Sequence, residues 1–129
     1  MKRLYVDSSV IVALLFEEEG FRRYSDLIEK GETSYSSHLL EAEVFAAAVR
    51  EGVPLKQAAE FVELISLIIP KRSLRLEYER LFEVGPLRGA DACHIATALY
   101  LDPECKELGF VSADKDQSRL AQKLGFKIL

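Results

Sequence analysis

The sequence predicts an α/β domain, a parallel sheet of about four to five strands with helices on both faces. Three observations predict it. Short β-prone runs alternate with longer helical patterns along the chain. The segments joining those runs are too long for hairpins and suit right-handed crossovers. Finally, 129 residues, 49% of them hydrophobic and 29% charged, fit one core without a linker. A single domain over residues 1–129 is therefore expected.

Leu4-Tyr5-Val6 reads as a strand ended by Asp7, with Ser8 placed to cap a helix through the apolar stretch Val10 to Phe16. A second helix spans Phe21 to Lys30 and stops at Gly31. Thr33 to Ser36 is a short strand, and Ser36 or Ser37 caps a long helix through Arg50, ended by Gly52. Pro54 opens the next helix from about Leu55. The continuous aliphatics from Leu64 to Ile69, closed by Pro70, read as a buried parallel strand. Helices follow at Leu74 to Glu83 and, after Gly85-Pro86 and Gly89, at Ala90 to Leu101. Gly109 to Ser112 is the fourth strand, Asp116 to Leu124 a helix, and Lys127 to Leu129 a terminal strand.

The net charge is −4 and the pI about 5.3, so no global positive field draws nucleic acid to the chain. A polyanionic substrate must be met by local cations or by a metal; the small groups around Arg22, Arg72 and Arg119 read first as a solvated rim. Cys93 and Cys105 lack a C-x-x-C spacing, and reduced thiols in a cytoplasmic protein are expected. The start imitates a secretory signal, but Asp7 interrupts its apolar stretch and Glu17-Glu18-Glu19 stands where small cleavage-site residues belong; neither export nor a membrane span is expected.

In open parallel sheets, ligands bind beyond the carboxyl ends of the strands. Asp7 follows the first strand and Asp114 the fourth, so both lie on that side, although Asp7 also suits a turn or cap. Glu43 stands mid-helix with Leu39, Leu40, Ala46 and Ala47 one turn away, which turns its carboxylate inward, where it needs a cation or a partner. Asp91 opens a helix of small residues; there it either serves the helix dipole or faces a site. In Ser112-Ala113-Asp114-Lys115-Asp116, Asp114 is assigned to the pocket and Asp116 to the helix cap. Four converging carboxylates repel unless protons or a cation lie between them. A set of oxygen donors without clustered Cys or His favours Mg²⁺ or Mn²⁺ over Zn²⁺.

In order along the chain, Leu4-Tyr5-Val6-Asp7-Ser8-Ser9-Val10-Ile11, Ala42-Glu43-Val44, Ala90-Asp91-Ala92-Cys93-His94-Ile95-Ala96-Thr97-Ala98 and Phe110-Val111-Ser112-Ala113-Asp114 resemble the motifs of PIN-domain ribonucleases. The likeness covers nearly the whole chain. It implies Mg²⁺- or Mn²⁺-dependent endoribonuclease activity, and a compact single domain looks most like the VapC-like toxins of toxin-antitoxin pairs. On that likeness Asp7, Glu43 and Asp91 are the central metal-site acids and Asp114 the fourth, with Asp116 as its alternate; Ser8 and Ser112 match supporting hydroxyl positions. The resemblance also implies an RNA substrate, an antitoxin protein partner and a homodimer.

His38 and His94 read first as satisfied structural imidazoles, His94 being the better functional candidate at i+3 from Asp91. No phosphate-binding loop, dinucleotide fingerprint or nucleophile elbow occurs. The rival readings are a PIN-like module that binds partners without catalysis and an RNA-processing nuclease without an antitoxin.

Overall fold

The structure is a computed structural model that describes residues 2–129; Met1, with which the expected 1–129 domain begins, lies outside it. Five strands, β1 (Arg3–Val6), β2 (Thr33–Ser37), β3 (Ser66–Ile68), β4 (Leu108–Val111) and β5 (Lys127–Ile128), form one all-parallel sheet in the order β3-β2-β1-β4-β5. The chain runs outward from β1 through β2 to β3, then returns to the other side of β1 for β4 and β5. Strand order therefore reverses between β1 and β4. Connections leave those two carboxyl ends in opposite directions, which opens a crevice there.

Alternation along the central strands divides the core in two. Leu4 and Val6 of β1 and Val111 of β4 join one apolar cluster, while Tyr5, Leu108 and Phe110 join the other. The first cluster is closed by α1 (Ser8–Phe16), α2 (Phe21–Lys30), α3 (Leu39–Arg50) and α4 (Leu55–Val62). The second is closed by α5 (Arg75–Val84), α6 (Gly89–Leu101) and α7 (Lys115–Leu124). Tyr5 stacks on Phe110 at 5.5 Å between ring centroids, and each fully buried aromatic of this kind stabilises the fold by about 1.5–3 kcal/mol. Ala92, Ala96 and Ala98 let α6 lie close on the sheet. Asp102, buried just after α6, accepts the backbone N–H groups of Lys106, Glu107 and Leu108 at 3.2, 2.8 and 3.0 Å and so shapes the turn that feeds β4.

The aliphatic run at residues 64–69 departs from its expectation. Only Ser66 to Ile68 pair, and they form a sheet edge on which Ser66 is exposed and Ile69 is 75% exposed. A run of aliphatics satisfies a buried strand, but an edge strand has a neighbour on one side only. Helix starts shift by a residue or two. Asp7, not Ser8, occupies the N-cap position of α1, without a side-chain cap bond, and His38 that of α3, where the Ser37 hydroxyl still accepts Leu39 N–H at 3.1 Å.

Cys93 and Cys105 are free thiols, and among the described residues no helix is long and apolar enough to cross a membrane. Ahead of α5, Arg72 donates to both oxygens of Glu77 at 2.8 Å, a bidentate pair that holds the Glu77 carboxyl below its ordinary pKa. A lowered carboxyl pKa contributes stability that is complete above the ordinary value and is lost as pH falls through the lowered one. Glu77→Gln should therefore lower Tm at neutral pH, with the gap to the parent closing on acidification. A gap that stays constant across a pH series of melting curves would assign the effect to packing instead.

Candidate active site

Asp7 is the first residue beyond β1 and is only 3% exposed. Among the described residues its carboxylate has no salt-bridge partner; it is held by two hydroxyls, Ser9 donating to Oδ1 at 2.5 Å and Ser112 to Oδ2 at 2.6 Å. Each hydroxyl is itself set by a backbone amide of the turn after β4. Ala113 N–H donates to Ser9 Oγ and Asp114 N–H to Ser112 Oγ, both at 2.9 Å. The carboxyl ends of β1 and β4 are thereby tied together around one acid. Burial pushes the Asp7 carboxyl above its ordinary pKa, and the Ser112 and Ser9 hydroxyls offset part of that rise.

Glu43 reaches the same place from α3. Its Oε1 accepts from His94 Nε2 of α6 at 2.7 Å, so this pair spans the two helical layers across the carboxyl end of the sheet. Asp91, in the first turn of α6, is met by Arg88 at 3.4 Å; the arginine is 84% exposed and the acid 19%. Asp114 caps α7, its Oδ1 accepting Asp116 N–H at 2.9 Å and Gln117 N–H at 3.1 Å. Gln117, fully buried, donates from Nε2 to the Asp91 carbonyl at 2.9 Å and so ties α7 to the start of α6.

Asp7, Glu43, Asp91 and Asp114 line one cleft of about 330 Å³, together with Glu18, Arg50 and Arg88. A neighbouring cavity of about 680 Å³ shares Arg88, Asp91 and Asp114 and adds Arg119 and Lys123. The acids thus form a floor with cations on its rim.

A family model described as PIN domain matches residues 4–123. The chain belongs to the PIN domain family. The match runs through every strand but β5, and the five-stranded parallel sheet with seven helices is consistent with a PIN fold. PIN domains are generally nucleases, so membership points to hydrolysis of phosphodiester bonds. Comparison with curated proteins finds no match to the chain.

Several residues of this PIN domain stand differently from the sequence-based assignment. Asp116 is not the helix cap: the helix begins at Lys115, which puts Asp114 in the cap position. Asp116 is exposed, pairs with Arg119 at 3.5 Å, and lines the larger neighbouring cavity but not the cleft of the four acids. Asp114 combines the two roles that had been divided between them, capping α7 while lining the cleft. The supporting hydroxyl after Asp7 belongs to Ser9; Ser8 lines the cleft, but its side chain makes no hydrogen bond among the described residues.

Tyr5, Gln117 and the partner of His94 were not singled out from the sequence. Tyr5 lies two residues before Asp7, whose backbone continues the extended conformation of β1, a spacing that puts both on one face, but nothing local says which helix meets it. Among the described residues no three acids, histidines or thiols are gathered closely enough to chelate one ion directly. The donor chemistry nevertheless fits a hard divalent cation. It offers oxygen ligands only, one of them a buried carboxylate without a cationic partner.

Proposed function

We propose that this PIN domain is a Mg²⁺- or Mn²⁺-dependent endoribonuclease that cleaves RNA phosphodiester bonds by water attack, acting in the cytoplasm as the toxin of a toxin-antitoxin pair. The observation that carries the reading is the cleft itself. Acids from four separate segments face one crevice at the strand-order reversal, and the most buried of them is held as a carboxylate by hydroxyls rather than neutralised by a side chain.

Asp7 and Asp91, with Glu43 and Asp114, would hold the cation. Their spacing calls for water ligands between the ion and part of the set, which Mg²⁺ retains readily. When bound, such an ion lowers the pKa of water and stabilises charge on the phosphoryl oxygens. The protein's own share is to orient and to bind. Ser9 and Ser112 hold Asp7 in one rotamer, Gln117 sets the first turn of α6 that carries Asp91, and Arg50 and Arg88 on the rim attract the RNA backbone. The proposal includes a homodimer and an antitoxin that presents a basic residue to the acidic floor.

One observation favours the rival, a non-catalytic interaction module: Arg88 already meets Asp91, as a partner's basic residue would. A single assay separates the two. Purified protein incubated with single-stranded and structured RNA, and with DNA of the same sequence, should cut RNA internally with Mg²⁺ or Mn²⁺ and stop on chelation. The Asp7→Asn/Asp91→Asn double variant should lose activity on the order of a thousandfold, the rate equivalent of several kcal/mol. Undiminished cutting by that variant would sink the mechanism. For the toxin role, expression alone should arrest growth, and a small protein with a basic tail encoded alongside should relieve it. Cleavage without growth arrest would move the assignment to RNA processing.

A further inference from the structure

Glu43 is the end of a buried polar chain that the proposed reaction does not itself explain. Ser37 N–H donates to the Tyr5 hydroxyl at 2.9 Å, the Tyr5 hydroxyl meets His94 Nδ1 at 2.9 Å, and His94 Nε2 meets Glu43 Oε1 at 2.7 Å. Counting donors sets its direction. A backbone amide can only donate, so the phenol oxygen accepts there and has one proton left to give. At the other end a carboxylate can only accept, so His94 Nε2 carries a proton, and Nδ1 of the neutral imidazole accepts from the phenol. The imidazole proton then resides on Nε2 and is donated to Glu43.

We propose that Tyr5 and His94 are positioning residues that fix Glu43 through Oε1, so that its other oxygen is presented to a divalent cation in the cleft. This rests on reading the cleft as a metal-dependent nuclease site. Tyr5 is wholly buried and His94 is 1% exposed, so water does not stand in for either. Phenylalanine and leucine would fill the same space without burying three polar atoms, which is unfavourable unless each is paired. The chain also ends on a carboxylate that lines the cleft, and Oε2 accepts no hydrogen bond among the described residues. Asp7 follows the same design, since its hydroxyl partners are likewise set by backbone amides. Hydrogen-bond partners that orient a metal ligand are worth 10- to 100-fold in metal affinity or activity.

The test is Mn²⁺ titration of the RNA-free chain by calorimetry, for the parent, Tyr5→Phe, His94→Leu and His94→Gln, with folding checked by circular dichroism. Tyr5→Phe and His94→Leu should weaken Mn²⁺ binding roughly 10- to 100-fold. His94→Gln, whose amide keeps an N–H for Glu43, should recover most of the loss. The Mg²⁺ concentration for half-maximal RNA cleavage should move by the same factor. In a Glu43→Gln background, His94→Leu should have no further effect on Mn²⁺ affinity, an epistasis that a purely structural role does not produce. Should His94→Leu fail to fold, Tyr5→Phe, which removes one oxygen, carries the comparison. A folded Tyr5→Phe protein with the parent's Mn²⁺ affinity overturns the positioning role alone. A parent chain that binds no Mn²⁺ overturns the metal reading of the cleft, and this inference with it.

Discussion

Asp7→Asn should abolish metal-dependent RNA cleavage while leaving the chelated protein at least as stable as the parent. The two halves have one cause. Asp7 is buried and receives two hydroxyl bonds but no cation, so its charge is carried at a cost that burial imposes and the hydroxyls only partly offset. A carboxyl pKa raised by burial means stability that is fully present below the ordinary carboxylate range and is lost as pH rises through the raised value. Above that raised value the chelated parent has lost it, and the neutral amide has not. Melting curves in chelator should therefore show a Tm for Asp7→Asn equal to or above the parent's at neutral pH, the difference disappearing on acidification. Added Mg²⁺ should reverse the order, because an ion that binds only the folded state stabilises by RT ln(1 + [L]/Kd) and the variant has lost a ligand. Cleavage by the variant should fall on the order of a thousandfold. A variant that is less stable than the parent in chelator and gains equally from Mg²⁺ would refute the account of Asp7 as a strained, cation-seeking carboxylate.

Asp102→Ala should produce the largest loss of stability. One buried carboxylate satisfies three consecutive backbone N–H groups at the turn between α6 and β4. Alanine leaves those donors without a partner, at a cost of about 3 kcal/mol, which for a domain of this size is a fall of roughly 10 °C in Tm. Asp102→Asn, which keeps one acceptor oxygen, should fall between. Because Ser112 directly follows β4, weaker Mg²⁺ stabilisation should accompany the loss. Chemical denaturation of the three proteins measures it, and a change under 1 kcal/mol for alanine would mean that water replaces the carboxylate.

Element type was largely legible because it rests on local signals. Alternating strand and helix patterns, glycine and proline punctuation, and crossover length lead to a parallel sheet without knowledge of any long-range contact. The acids were legible for a related reason. Asp7 follows the first strand and Asp114 the fourth, and the carboxyl end of a parallel sheet is where such residues gather. Residues 64–69 show the limit. Hydrophobic composition marks a strand but not its position in the sheet, since edge and centre differ only in what lies alongside.

The sequence by itself determined the α/β class, the order of the elements and the inward turn of Glu43 within its helix. Only the tertiary structure decided that Ser9 rather than Ser8 serves Asp7, that Asp114 both caps α7 and lines the cleft while Asp116 faces Arg119, and that His94 joins Tyr5 to Glu43. The physical reason is common to all three. In each case the partner lies on another element or depends on a helix boundary shifted by one residue. Spacing along one helix or strand tells which face a side chain takes, not which distant group will meet it there.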